Sequence, residues 1–281
     1  MAFFMKNVKD FAWAVVGAGP AGIAAVGKLL DYGVSENSIL WIDPAFNVGD
    51  FGSRWLNVPG NTRVGLFHRF LLACDAFDYQ NWRSQCALSS LPPDESCLLR
   101  FMAEPLQRIT DRFRQKLQTV CTALESLQFR QQRWVLQCPD GQFTSSKVIL
   151  AIGAEPKVLP FATQNLLPLD IAMNPQRLSS AVTVDDCVAV FGSSHSAILT
   201  VKNLLELGCK KVINFYLEPL RYAVYFEDWI LFDDTGLKGT TAEWARQYID
   251  GEMPVNLQRE MSTPDNVAKW LPGCSKSIHC V

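Results

Sequence analysis

Apolar and polar positions switch between two periods along the chain. Ala14-Val15-Val16 is a short apolar run of strand type that stops at Gly17. Behind it, Ile23, Val26, Leu29 and Leu30 share one helical face, and Gly33 stands where a helix-ending glycine belongs. Ile39 to Ile42 is a second apolar strand, and Asp43 follows it. The same succession returns later. Val188-Ala189-Val190-Phe191 stops at Gly192, the next helical face is Ile198, Val201, Leu204 and Leu205, Gly208 closes it, and a strand from Val212 to Leu217 leads to Glu218. Laid on each other without a gap, at an offset of 175 residues, Gly17 meets Gly192, Leu29-Leu30 meets Leu204-Leu205, and Asp43-Pro44 meets Glu218-Pro219. Each copy predicts one βαβ dinucleotide-binding unit, and together they predict an α/β protein with two Rossmann-like units.

The segment between the copies predicts other elements. Pro92-Pro93 marks 88–99 as a loop. Residues 102–118 fit an amphipathic helix with Leu106, Ile109, Phe113 and Leu117 inward and Arg108, Arg112, Arg114 and Lys116 solvated. Strands at 124–130 and 133–138, with a turn at Pro139-Asp140-Gly141, read as an antiparallel meander running to 147. A separate apolar strand then runs from 148 towards Pro156. The expected division is 1–155 and 156–281. Beyond the second copy, Tyr222, Tyr225, Phe226, Trp229 and Phe232 form an aromatic stretch, read as core or a subunit contact before a substrate pocket. Thr240 or Thr241 is the expected cap of a helix that Gly251 ends.

Composition removes several function classes. With 26 basic and 28 acidic residues among 281, the net charge of −2 offers no bulk attraction for nucleic acid or an anionic membrane. No apolar run has the length of a membrane helix. The nine cysteines are scattered without a C-x-x-C pair, which reads as reduced cytoplasmic thiols, not a disulfide framework or zinc site. The three histidines have no ligand-like spacing, so no protein-built metal centre is expected; His68 and His279 read as structural.

The glycines carry the candidate chemistry. Gly17-Ala18-Gly19-Pro20-Ala21-Gly22 joins a strand to a helix, so backbone N–H groups and the helix N-terminus face a pyrophosphate. Asp43, 21 residues past Gly22, stands where a carboxylate accepts from ribose hydroxyls. The second motif, Gly192-Ser193-Ser194-His195-Ser196-Ala197, keeps only the first glycine. His195 there reads equally as a nucleotide contact or a solvent-facing residue.

Three further blocks carry a resemblance. Val148-Ile-Leu-Ala151-Ile-Gly153-Ala-Glu-Pro156 resembles the A-T-G-x-x-P strand of two-dinucleotide-binding-domain flavoproteins, the pyridine nucleotide-disulfide oxidoreductase-like superfamily. Val190-Phe-Gly-Ser-Ser-His-Ser-Ala-Ile198 resembles the second glycine motif of flavin-containing monooxygenases. Gly49-Asp-Phe-Gly-Ser-Arg-Trp55-Leu-Asn57-Val-Pro59-Gly-Asn61-Thr62 is similar to their segment that passes the flavin ring.

The resemblance implies FAD on Gly17, Gly19, Pro20, Ala21, Gly22, Asp43, Pro44, Ala151 and Gly153. It implies NADH or NADPH on Gly192 to Ala197, Glu218 and Arg221, with Trp55, Asn57 and Asn61 beside the flavin. The implied reaction passes hydride from the nicotinamide to FAD, with oxygen and a small molecule as further substrates. The missing cysteine pair disfavours the disulfide-reductase branch. Two alternatives stay open: a non-catalytic nucleotide-binding scaffold, and a reductase serving a separate protein. A homodimer is compatible with either. Because Glu218 falls on Asp43 in the ungapped repeat, and an acid there repels a 2′-phosphate, NADH is the expected coenzyme. The family's chain returns to its first domain after the second; here 275–281 reads as the crossing-back strand, with the return segment absent.

Overall fold

The structure is a computed structural model and describes residues 9–160 and 165–281. Contacts divide it into two compact units. One holds the chain up to Leu56, Val64–Pro93 and Leu98–Ala154; the other holds Asn57–Arg63, Asp94–Cys97 and Glu155 onwards.

The first unit is built on a six-stranded sheet. Its elements are β1 (Lys9–Val16), α1 (Pro20–Asp31), β2 (Ile39–Ile42), α2 (Arg100–Arg114), β3 (Gln118–Val120), β4 (Ser126–Arg130), β5 (Arg133–Cys138) and β6 (Gly141–Leu150). The strand order is β3-β2-β1-β6-β5-β4. The pairs from β3 to β6 are parallel and those from β6 to β4 antiparallel. All four residues of β2 are buried, as a strand covered on both faces requires. Ile23 and Val26 of α1 and Leu106, Ile109 and Phe113 of α2 are buried, so both helical faces lie as their spacing predicts.

One expectation is corrected here. The meander and the strand after it are one element: β6 runs unbroken for ten residues, pairing with β5 on one side and with β1 on the other, and it ends at Leu150. The first meander turn is Gln131-Gln132, with both residues at positive φ (49° and 61°). That is the backbone a two-residue hairpin turn needs, without the glycine that usually announces it.

The second unit carries a five-stranded, all-parallel sheet. Its elements are β7 (Leu166–Leu167), β8 (Cys187–Phe191), α3 (His195–Glu206), β9 (Lys211–Tyr216), α4 (Gly239–Tyr248), β10 (Leu257–Met261) and β11 (Lys276–His279). The order is β10-β9-β8-β11-β7. Ile198, Val201 and Leu204 pack on Val188, Val190 and Val212, together with Ala242 and Ala245 of α4. Ala189, Phe191, Ile213 and Phe215 face the opposite side, against Val267. A two-stranded sheet of Pro59–Arg63 and Ser96–Leu98 belongs, Leu98 apart, to this unit. Helix α4 begins after Lys238, so Thr240 and Thr241 lie inside its first turn and neither caps it. Of the aromatic stretch, Phe226 and Trp229 stack at 4.4 Å and are exposed, which removes them from the core.

The two βαβ units share their construction but not the expected register. Val16 pairs with Ile42, and Phe191 pairs with Phe215. The backbone agrees: the N–H of Gly17 donates to Ile42 and that of Gly192 to Phe215, both at 2.8 Å. The link from helix to second strand is therefore two residues shorter in the second copy. Tyr216, not Glu218, is the counterpart of Asp43.

Candidate functional site

Each glycine turn is held from below by the strand that closes its sheet. Ala151 donates to Val16 and Cys280 donates to Phe191, both at 2.8 Å. A Cβ on Gly17 would stand 2.1 Å from the Ala151 oxygen, and one on Gly192 would stand 2.6 Å from that of Cys280. The second strand supports each turn as well. Trp41 Nε1 donates to the Gly17 carbonyl at 2.9 Å, and Asn214 Nδ2 donates to the Gly192 carbonyl at 2.8 Å. Trp41 and Asn214 each stand one residue before the residue that pairs with the last of the preceding strand, Ile42 with Val16 and Phe215 with Phe191. The ungapped repeat hides that equivalence.

The helices that leave these turns have open N-termini. Gly19 precedes α1 and Ser194 precedes α3, and neither makes a side-chain cap. In the same chain Asn174 and Thr263 cap their helices. The first N–H groups of α1 and α3 are thus left for another acceptor. A Cβ on Gly19 would meet no atom within 4 Å, whereas one on Gly22 would stand 1.9 Å from the Gly17 oxygen. Gly22 is required by packing of helix on strand. Packing does not require Gly19, which leaves a cradle over the helix end of the kind a pyrophosphate fills. FAD therefore fits the first turn. The second turn keeps the uncapped helix, with Ser194 in the place of Gly19 and Ala197 in that of Gly22.

Asp43 is buried and organises the loop below the first turn. Its carboxylate accepts from the N–H groups of Ala18 (2.7 Å), Ala45 (2.8 Å) and Phe46 (2.6 Å). Pro44, between these partners, is exposed, and Pro20 and Ala21 form the first turn of α1. Gly153 follows β6 at φ +71°.

The predicted flavin-side residues fall in different units. Trp55 is half-buried in the first, where its N–H donates to Asp50 at 3.0 Å. Asn57 and Asn61 are exposed in the second. Asn61 lines a cavity of about 470 Å³ in that unit. Three cations, Arg63, Lys238 and Arg246, and three carboxylates, Asp94, Glu95 and Glu243, ring it. Arg63 lies 3.9 Å above the Tyr225 ring, so one aromatic of the 222–232 stretch does line a cavity. No sequence pattern marks this cavity, whose walls come from three separated segments.

His195 opens α3 and is not solvent-facing. Its Nε2 stands 3.4 Å from the Pro59 carbonyl, and its buried Nδ1 has no partner among the described residues. Burial holds the imidazole below its usual pKa, so it is neutral at pH 7. Ser193 and Ser196 are half-buried beside it. Glu218 and Arg221 pair with each other at the exposed end of β9. At the true counterpart of Asp43, the Arg259 guanidinium lies 4.6 Å from the Tyr216 ring centroid. Its Nε donates to Asn214 at 2.9 Å, and its Nη2 is buried without a partner among the described residues. The other histidines are structural: His68 is hydrogen-bonded to Tyr79 (2.9 Å), and His279 Nδ1 accepts from Leu159 (3.0 Å). Among the described residues no group of metal-ligand type is found, and no helix is long and apolar enough to cross a membrane.

No family model matches the chain. Monooxygenase AgnR1 of Paecilomyces divaricatus is 31% identical over 274 residues, which is 88% of this chain and 70% of that protein. The chain belongs to the two-dinucleotide-binding-domain flavoprotein family. Solved members of this fold are more distant in sequence. The flavin-containing monooxygenase from Stenotrophomonas maltophilia matches 98% of this chain and 78% of its own at a TM-score of 0.64 and 15% identity. Bacillithiol disulfide reductase Bdr from Staphylococcus aureus matches 90% of this chain and 67% of its own at 0.57 and 12%. The polycyclic ketone monooxygenase from Thermothelomyces thermophila matches 77% of this chain at 0.53 and 15%, but this chain spans only 37% of its length.

Proposed function

We propose that this flavoprotein-family chain is an FAD-dependent oxidoreductase of the monooxygenase type. The first unit binds FAD and the second binds the nicotinamide coenzyme. The observation that carries the reading is the pair of uncapped helices, one at each glycine turn, with the open cradle at Gly19 over the first. When bound, FAD supplies the hydride acceptor and the centre that reacts with oxygen. The chain's own residues bind and orient. The N–H groups of Gly19, Ala21 and Gly22 receive the pyrophosphate, Asp43 holds the loop beneath it, and neutral His195 and Ser194 border the second nucleotide. Trp55, Asn57 and Asn61 are the candidate neighbours of the flavin ring, Ala151 and Gly153 complete the first turn, and the substrate is a small organic molecule. Nine thiols without a disulfide suit a cytoplasmic enzyme.

The coenzyme assignment changes with the register. The argument for NADH needed an acid opposite Asp43, and that place belongs to Tyr216 with Arg259 against its ring. A ring and a cation favour a 2′-phosphate, so NADPH is the proposed donor. The test is to reconstitute the full chain with FAD and follow flavin reduction by each coenzyme anaerobically, then oxygen uptake. Faster reduction by NADPH supports the reading. Faster reduction by NADH overturns the coenzyme choice, and a protein that cannot take up FAD overturns the function.

A further inference from the structure

Cys187 begins β8, and Cys274 stands two residues before β11. Their sulfur atoms lie 3.5 Å apart, although 86 residues separate them in the chain. The approach is built by the sheet. Val188 pairs with Lys276, and the Ser275 N–H donates to the Cys187 carbonyl at 2.8 Å, so Cys187 lies beside Ser275 and Cys274 one residue further, in the turn that leads into β11. Asp186 fixes the same corner. It accepts from Thr183 N–H (2.7 Å) and hydroxyl (3.1 Å) on its own segment, and from Ser275 hydroxyl (2.6 Å) and Lys276 ammonium (2.6 Å) on the other. Both cysteines are half-buried, within reach of a small oxidant.

We propose that Cys187 and Cys274 form a reversible disulfide, a modification site that clamps the end of the second sheet remote from the glycine turn. Hydrogen peroxide is a sufficient oxidant. The Cys187 thiolate attacks one peroxide oxygen: an S–O bond forms, the O–O bond breaks, and the departing hydroxide takes a proton to become water. The Cys274 sulfur then attacks Cys187: the S–S bond forms, the S–O bond breaks, and the leaving hydroxide takes the Cys274 proton as a second water. Two thiols lose two electrons in all, and one peroxide gains them. Burial and the neighbouring Cys187 push the Cys274 thiol up to about 12.

The experiment treats the purified full chain with hydrogen peroxide and counts free thiols after unfolding. The expected count falls by two from nine. Peptide mapping then finds a fragment joining Cys187 to Cys274, dithiothreitol reverses it, and C187S and C274S each abolish it. The unfolding midpoint of the oxidised chain rises by roughly 10 °C, as closing a loop of this length implies; C187A/C274A shows no rise. Three results overturn the proposal: a full set of thiols after oxidation, a disulfide joining other cysteines, or sulfinic acid at Cys187 without the cross-link. The wild-type peptide map decides the matter even if a single variant folds poorly.

Discussion

Replacing Gly19 and Gly22 in turn separates ligand approach from packing. The alanine Cβ of G22A enters 1.9 Å from the Gly17 oxygen and 2.8 Å from its carbon, and both atoms are backbone. Helix α1 must move off β1 by more than about 1 Å, and overpacking of that order costs about 1–3 kcal/mol. For a unit of this size that lowers the unfolding midpoint by roughly 2–10 °C. G19S writes the second copy's residue into the first. Its Cβ meets nothing within 4 Å, and the backbone there is extended (φ −74°, ψ 179°). Serine is also a favoured residue before a helix, so the apoprotein should keep its midpoint within about 1–2 °C or gain slightly. FAD affinity should behave in the opposite way: the serine side chain stands in the pyrophosphate path and weakens binding tenfold or more, about 1.4 kcal/mol. Thermal unfolding of the apoproteins and fluorescence titration with FAD read the two quantities separately. If G19S binds FAD as the wild type does, or unfolds as early as G22A, the cradle reading is wrong.

Other expectations follow from the same geometry. D43A leaves the N–H groups of Ala18, Ala45 and Phe46 without their acceptor, and urea unfolding should show a loss of about 2–4 kcal/mol, at 1–3 kcal/mol per orphaned group less what water recovers. Asp186 has a sharp acid signature. Burial raises its pKa, but the hydrogen bonds from Lys276, Ser275 and Thr183 outweigh that and hold it well below the usual carboxylate value. Its stabilisation is therefore complete above the unfolded pKa of about 3.9 and fades as pH falls towards the folded value. The gap in midpoint between wild type and D186N should be flat above about pH 5 and shrink below about pH 4; a gap that widens on acidification refutes the assignment. R259Q should raise the KM for NADPH tenfold or more and leave that for NADH within about twofold, because a charged hydrogen bond contributes about 1.5–3 kcal/mol; equal losses for both coenzymes would make Arg259 purely structural through its bond to Asn214.

The repeated helices were legible because their faces and closing glycines are local features. Ile23, Val26 and Leu29 and their counterparts Ile198, Val201 and Leu204 are all buried. The strand register was not, since a two-residue difference in a connection leaves each pattern intact and shifts only their alignment. That shift hid the equivalence of Trp41 with Asn214 and misplaced Glu218. The link at 131–132 is implied by the strands on either side of it, but neither Gln131 nor Gln132 advertises the positive φ that the turn adopts. The cavity beside Asn61 was invisible for another reason: its walls come from 61–63, 94–96 and 223–246, segments that no periodicity links.

The short sheet of Pro59–Arg63 and Ser96–Leu98 gives synthesis an order. Residues 57–63 and 94–97 leave the ribosome more than fifty residues before the rest of their unit begins at Glu155. They can pair with each other, but His195 of α3 and the face of α4 that they meet in this unit emerge much later. A chain started at Glu155 would carry every strand of the second sheet yet lack both of these segments. Separate expression of the two halves should therefore yield an aggregation-prone C-terminal piece, and co-expression of a 57–97 fragment is the natural attempt at complementation.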